Sequence, residues 1–98
     1  MNLGPRFQQR RLGVICCGHV LRGERKVLLV DRLGDKWSFM CGGMDHFGTK
    51  DGHFVIVGVF LDANPTLNAV ADLPSEWEAE RKEVGAAWIR TRCDKQDS

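Results

Sequence analysis

The sequence lacks the short motifs that mark the commonest metal and cofactor sites. Its 98 residues contain no Cys-x-x-Cys pair and no His-x-x-x-His pair, which are spacings typical of zinc sites. Neither Gly-x-Gly-x-x-Gly nor Gly-Lys-Ser/Thr occurs, so nothing indicates a phosphate-binding loop. Because no strong catalytic motif is present, we expect a protein without enzymatic activity.

Long apolar runs and a strong net charge are absent as well. No run approaches the ~20 apolar residues of a membrane span, and the start of the chain has no continuous apolar segment of the signal-peptide type. The net charge of +1 gives no argument for binding to nucleic acid or to a membrane surface. We therefore expect a cytoplasmic protein whose four cysteines are reduced.

The charge that is present is unevenly distributed. Residues 1–32 carry a net charge of +5, and the remainder of the chain carries −4. The sequence predicts a flexible basic arm over residues 1–12, a single domain over residues 13–93 and a polar tail over residues 94–98. The arm either faces water or contacts an acidic partner, and its sequence leaves both roles open.

Three apolar segments in the first half predict strands over residues 14–21, 26–31 and 37–41, joined by short turns as an antiparallel meander. A glycine-rich irregular stretch follows over residues 42–53. The segment 54–61 begins with β-branched residues, then changes to helical spacing from Val57 onward.

The second half predicts helices and a hairpin. Asn64 and Pro65 suit the cap and first position of a helix that ends before Pro74. Residues 75–84 fit either a helix or a strand, and we favour a terminal hairpin that turns at Gly85. The sequence thus predicts an α+β fold: an antiparallel β-sheet of four to five strands with one or two short helices packed on one face.

Four Cys and His side chains form a candidate metal site. Cys17 and His19 share one face of the first predicted strand, because strand side chains repeat every two residues. Cys41 ends a strand near the first one, and His46 follows across the Gly42-Gly43 corner. Two thiolates and two imidazoles suit Zn²⁺ with tetrahedral geometry. Cys16 replaces Cys17 in this site if the first strand turns its other face inward.

Two alternatives remain open for these residues. The cysteines, including Cys93, are also explained as small core residues, since free cysteine is among the most buried residue types. A thiol nucleophile is the other alternative, with Cys41 paired to His46 or His19. An open catalytic metal site would need a general base, for which Asp45 is the candidate.

A set of structural motifs resembles small uncharacterised bacterial domains of the immunity-protein-like kind. The motifs are Trp37-x-Phe39-x-x-Gly42, Asn64-Pro65-x-Leu67 and Asp72-Leu-Pro-x-x-Trp77-x-Ala79-x-Arg81, closing with Trp88. The resemblance covers roughly residues 14–90 and implies a compact α+β domain. For some relatives it suggests a role in neutralising a partner toxin in the same cell. It supplies no catalytic residues. Our leading functional hypothesis is therefore a non-catalytic protein-binding module, with a small structural zinc domain and a Cys–His enzyme as alternatives.

Overall fold

A computed structural model of the chain describes Phe7, residues 9–43 and residues 52–93. The elements within these ranges are β1 (Gly13–Cys17), α1 (Gly18–Leu21), β2 (Leu29–Leu33), β3 (Lys36–Met40), β4 (Gly52–Ile56), α2 (Val57–Ala63), a 3₁₀ helix (Pro65–Val70), β5 (Trp77–Glu80) and β6 (Ile89–Arg92). Among them, no helix has the length and apolar composition that a bilayer crossing needs.

The strands form one mixed sheet of six strands in the order β4-β1-β3-β2-β5-β6. Strands β1 and β3 run parallel, whereas every other neighbouring pair is antiparallel. The α+β class is confirmed, but the predicted sheet of four to five antiparallel strands is wrong in strand number and in the direction of one pair. The predicted meander fails because the chain enters α1 directly after β1, so no tight hairpin joins β1 to β2.

One face of this sheet is buried. Residues paired across strands point to the same side, and the pairs Cys16–Phe39, Val30–Phe39 and Val30–Ala79 place four fully buried side chains together. Helix α2 packs on this face through Phe60, whose ring stacks on Phe39 with centroids 5.7 Å apart. The buried face and α2 therefore form the core.

The opposite face of the sheet is largely open among the described residues. Phe54 and Ile56 alternate on β4 and are 78% and 46% exposed, and Ile89 on β6 is 64% exposed. The register partners of Phe54 and Ile89 are Ile15 and Glu80, whose side chains lie on the same face of the sheet, and Ile56 is paired with Gly13. This sheet thus presents apolar side chains to solvent along both of its edges.

The chain changes directly from a strand to a helix at two places, Gly18 and Val57. The change at Val57 was predicted from the apolar spacing and is confirmed, since β4 ends at Ile56 and α2 begins at Val57. The change at Gly18 was not predicted. The first strand was expected to continue to residue 21, but it ends at Cys17 and the chain turns into α1.

The C-terminal half follows its predicted course. Pro65 opens a helix as expected, although the helix is of the 3₁₀ type and Asn64 makes no capping bond to the backbone. Its side-chain oxygen instead accepts a hydrogen bond from the hydroxyl of Thr66. The terminal hairpin is confirmed, because β5 and β6 pair antiparallel with Trp77 opposite Arg92.

The end of the predicted basic arm contacts the domain. The ring of Phe7 packs edge-on against Trp37 with centroids 5.1 Å apart. The carbonyls of Arg10 and Leu12 accept hydrogen bonds from Gly58 and Val57 at 2.9 and 2.7 Å. Phe7 and residues 9–12 thus contact the domain, while residues 1–6, residue 8 and the predicted tail over 94–98 lie outside the described ranges.

Candidate metal centre

Three predicted ligands converge at one end of the β1–β3 pair. The ligand atoms of Cys17, His19 and Cys41 all lie within 4.8 Å of one another. The closest contact with a stated distance joins Cys41 Sγ to His19 Nδ1 at 3.8 Å. Cys17 and Cys41 are 2% and 5% exposed, and His19 is partly exposed. We call these three residues the Cys–His–Cys cluster.

The parallel pairing of β1 with β3 explains this convergence. In a parallel pair, both strands end at the same edge of the sheet, and the register sets Cys16 beside Phe39. Cys17 is the last residue of β1, and Cys41 directly follows the last residue of β3. His19 reaches the same place from the first turn of α1. Cys17, His19 and Cys41 thus come together through a parallel strand pair and the start of a helix, not through the antiparallel meander that was expected.

Two nitrogen donors point at the sulfur of Cys41. The backbone N–H of Gly43 donates to Sγ at 3.4 Å, and a guanidinium N–H of Arg25 donates to Sγ at 3.6 Å. The sulfur of a cysteine is the atom that binds metals and acts as a nucleophile. Cys41 Sγ thus lies within reach of two N–H donors from two different segments.

The loop that carries Arg25 is held against α1. The backbone N–H groups of Glu24 and Arg25 both donate to the carbonyl of His19, at 2.9 and 3.2 Å. Gly23 has φ of +75°, a conformation that glycine adopts without steric cost and that allows this tight return. Arg22 forms an ion pair with the exposed Glu24, and its guanidinium lowers the pKa of that carboxyl from its ordinary value.

The other candidate residues have different positions. Cys16 points into the core beside Phe39 and is not part of the cluster, so the alternative ligand set with Cys16 in place of Cys17 is wrong. Cys93 lies on the terminal hairpin, where its thiol donates to Glu78 at 3.8 Å. His46 and Asp45 lie outside the described residues, so the fourth proposed ligand and the proposed general base stay predictions.

The contacts of Arg25 and Gly43 with Cys41 are not among the features predicted from the sequence. Gly43 follows Cys41 by two residues, and a glycine corner directly after a cysteine is a local signal for an N–H donor to sulfur. Arg25 carries no comparable signal, because it is one of three basic residues in a polar turn. Its proximity to Cys41 depends on where β3 lies relative to α1, which is a feature of the sheet topology.

The spacing of the cluster approaches that of a tetrahedral metal site. With zinc bonds of about 2.0–2.3 Å, neighbouring ligand atoms lie about 3.5–3.8 Å apart. The Cys41–His19 separation of 3.8 Å fits this range, and the 4.8 Å limit for the cluster requires a contraction of only about 1 Å. The same separation is also compatible with a hydrogen bond between a thiol and an imidazole nitrogen, since contacts to sulfur are longer than those to oxygen.

Comparison with known proteins adds no further assignment. No protein-family model, curated protein or solved structure matches the chain. The resemblance to immunity-like domains therefore stays a hypothesis drawn from sequence motifs. The geometry of the cluster is the observation on which a functional proposal can be based.

Proposed function

We propose that this protein is a small metal-binding domain in which Cys17, His19 and Cys41 hold a zinc ion. The observation that carries the proposal is the convergence of three ligand atoms within 4.8 Å. Two thiolates and one imidazole form a donor set that zinc prefers over hard cations such as Mg²⁺. His46 is the proposed fourth ligand, because it follows Cys41 by five residues in the sequence.

The proposed role of the ion is structural. Both cysteines are nearly inaccessible to solvent, as expected of ligands in a closed site. An ion bound there joins the end of β1, the start of α1 and the end of β3, three segments that are otherwise linked through the sheet. The proposal requires reduced thiols, which a compartment such as the cytoplasm provides.

The experiment is a metal titration of the protein purified without added metal or a histidine tag. We expect one zinc per chain, a rise in Tm on zinc addition and, with Co²⁺, the charge-transfer absorption of a thiolate-bound ion. Cys17→Ser, His19→Ala and Cys41→Ser each remove a ligand, so each should reduce zinc affinity by at least ~10-fold. His46→Ala tests the fourth ligand in the same assay.

Cys93→Ser is the matched control, because Cys93 lies outside the cluster, on the terminal hairpin beside Glu78. It should leave the affinity, the stoichiometry and the cobalt spectrum unchanged. The proposal fails if zinc does not alter Tm, or if Cys93→Ser weakens binding as much as Cys41→Ser does. In that case the alternative explanation applies, in which the cysteines are small core residues.

A second candidate, a non-catalytic protein-binding module of the immunity-like kind, is favoured by the surface of β4. This strand is at one edge of the sheet and exposes Phe54 and Ile56 on one face. Edge strands offer unpaired backbone groups, and exposed apolar side chains add contact area for a protein partner.

Affinity capture with the wild-type chain and with Phe54→Lys tests this candidate. A partner protein that the wild-type chain retains and the Phe54→Lys chain loses supports it. If both chains retain the partner protein equally, Phe54 and the β4 surface do not take part in its binding. Because the metal ligands are unchanged in Phe54→Lys, the two candidate functions are tested independently.

A further inference from the structure

Arg81 is a buried cation without a carboxylate partner among the described residues. It directly follows β5 and is 3% exposed. Its Nε and one terminal nitrogen donate to the carbonyl of Val27 at 3.2 and 3.0 Å, and the other terminal nitrogen donates to the hydroxyl of Thr66 at 2.9 Å. All of these acceptors are neutral. Burial lowers the pKa of the guanidinium, and no carboxylate in the described part of the chain offsets that effect.

The hydrogen bonds of Arg81 leave part of its donor capacity unused. A guanidinium has five N–H groups, and three of them are engaged in the bonds to Val27 and Thr66. One N–H on each terminal nitrogen has no acceptor among the described residues, and carboxylate oxygens accept hydrogen bonds from such guanidinium N–H groups. A buried charge is costly unless it is paired, so an anion near this group gains a favourable interaction.

A pocket of about 370 Å³ lies against Arg81. The 3₁₀ helix forms one wall through Pro65, Thr66 and Ala69, and the turn that leads into β6 forms the other through Ala86 and Trp88. The volume lies within the ~300–1,000 Å³ range of small-molecule sites. Mostly apolar walls with a few polar groups are also the usual composition of such sites.

Trp88 fixes one side of the guanidinium. Its ring lies 4.3 Å from Arg81 Cζ, a cation–π contact that covers one face of the charged group. Arg81 also lines the pocket, so an anion in the pocket would lie next to this side chain. The surroundings of Arg81 therefore combine a fixed cation with an open, mostly apolar pocket.

We propose that this pocket binds a small organic carboxylate. The carboxylate accepts hydrogen bonds from Arg81, and an apolar body occupies the space between the 3₁₀ helix and Trp88. The apolar walls favour an organic anion over phosphate or sulfate, which carry no group to fill them. This site is separate from the Cys–His–Cys cluster and shares no residue with it.

The test is an NMR titration of the ¹⁵N-labelled protein with acetate, benzoate and phenylacetate, and with benzamide and phosphate as comparisons. The indole N–H of Trp88 reports on the pocket, and the indole signals of Trp37 and Trp77 serve as internal references. We expect benzoate or phenylacetate to shift the Trp88 signal saturably, and benzamide to bind at least ~10-fold more weakly because it lacks the charge.

Two variants separate the roles of the charge and the cavity. Arg81→Lys keeps a cation but loses the fork of donors, and we expect at least a ~10-fold loss of affinity. Ala69→Leu fills the pocket and leaves Arg81 unchanged, so it should abolish binding even if Arg81→Lys is unfolded. Arg92→Lys, on the exposed strand β6, is the matched control and should bind as the wild type does.

Three results would overturn the proposal. The first is the absence of any saturable Trp88 shift with all three carboxylates up to about 10 mM. The second is equal affinity for benzoate and benzamide, which would show that the charge of Arg81 is not used. The third is unchanged binding in Ala69→Leu, which would place the ligand elsewhere on the protein.

Discussion

At the level of single residues, Phe39 occupies the centre of a group of aromatic rings. The rings of Phe7, Trp37 and Phe60 lie with centroids 5.9, 6.4 and 5.7 Å from it. Phe39 is fully buried and is also paired across strands with Cys16 and Val30. One side chain thus connects the sheet, α2 and the segment before β1.

Truncation of Phe39 should therefore be among the more damaging core substitutions. We expect Phe39→Ala to lower the free energy of unfolding by about 3–5 kcal/mol, because a large buried ring is replaced by a cavity. Phe54→Ala removes the same ring from a position that is 78% exposed and should change stability by less than ~0.5 kcal/mol. Denaturant unfolding measures the free energy of unfolding of both variants. Equal decreases in the two variants would contradict the assignment of Phe39 to the core.

The Cys–His–Cys cluster shows which properties of a site are local in the sequence. Cys17 and His19 are only two residues apart in the sequence. They are therefore close in space in this structure, where His19 lies in α1, as they would be in the predicted strand. Their approach to Cys41 depends on the parallel pairing of β1 with β3, which the residues of either strand do not encode alone. The ligand types were therefore predictable, whereas the contact of Arg25 with Cys41 was not.

At the level of elements, α2 is held by the segment before β1. Gly58 of α2 donates its N–H to the carbonyl of Arg10 at 2.9 Å, and a Cβ atom on Gly58 would lie 2.9 Å from that same oxygen. The ion pair between Arg10 and Asp62 adds a second, exposed contact between the two segments. The close approach of the two backbones explains why residue 58 is glycine.

A side chain at position 58 should separate these segments. We expect Gly58→Val to lower the free energy of unfolding by about 1–3 kcal/mol, because the obstructing atom belongs to the backbone and cannot rotate away. Ala63→Val adds the same β-branched side chain at the exposed end of α2 and should cost less than ~0.5 kcal/mol. Thermal unfolding of both variants measures the difference, and equal Tm values would refute the explanation.

The elements differ in how much of their structure the sequence predicts. The change of apolar spacing at Val57 and the alternation around Trp77 are local patterns, and both predicted elements are confirmed. The segment from Gly18 to Leu21 has the composition of a continuing strand, yet it forms α1. Because α1 prevents a hairpin between β1 and β2, this one local error accounts for the wrong strand order.

At the level of the whole molecule, the proposed metal makes stability depend on pH. Metal binding requires deprotonated thiols and a neutral imidazole, so protons compete with zinc for the ligands. We expect the Tm of the zinc-loaded protein to fall between about pH 8 and about pH 5 more steeply than that of metal-free protein. Calorimetry of both forms across this range is the measurement, and parallel pH profiles would argue against metal binding.

The matched comparison for this pH dependence is the Cys41→Ser variant. It lacks one ligand but keeps the remaining titratable side chains, so zinc should have little effect on its Tm at any pH in the range. If the variant with added zinc follows the steep profile of the wild type, the pH dependence arises from other groups. The exposed pair of Arg22 and Glu24 is one such source, and its contribution is expected to be small because the pair faces water.

The position of the Cys–His–Cys cluster along the chain has a consequence for synthesis on the ribosome. All three residues belong to the first 41, and the strands that bring them together, β1 and β3, are direct neighbours in the sheet. If the cluster binds a metal as proposed, an ion could be captured before β4, α2 and the terminal hairpin have left the ribosome. Metal supply would then act on the nascent chain, and its effect would be seen in the yield of folded protein rather than in the finished molecule alone.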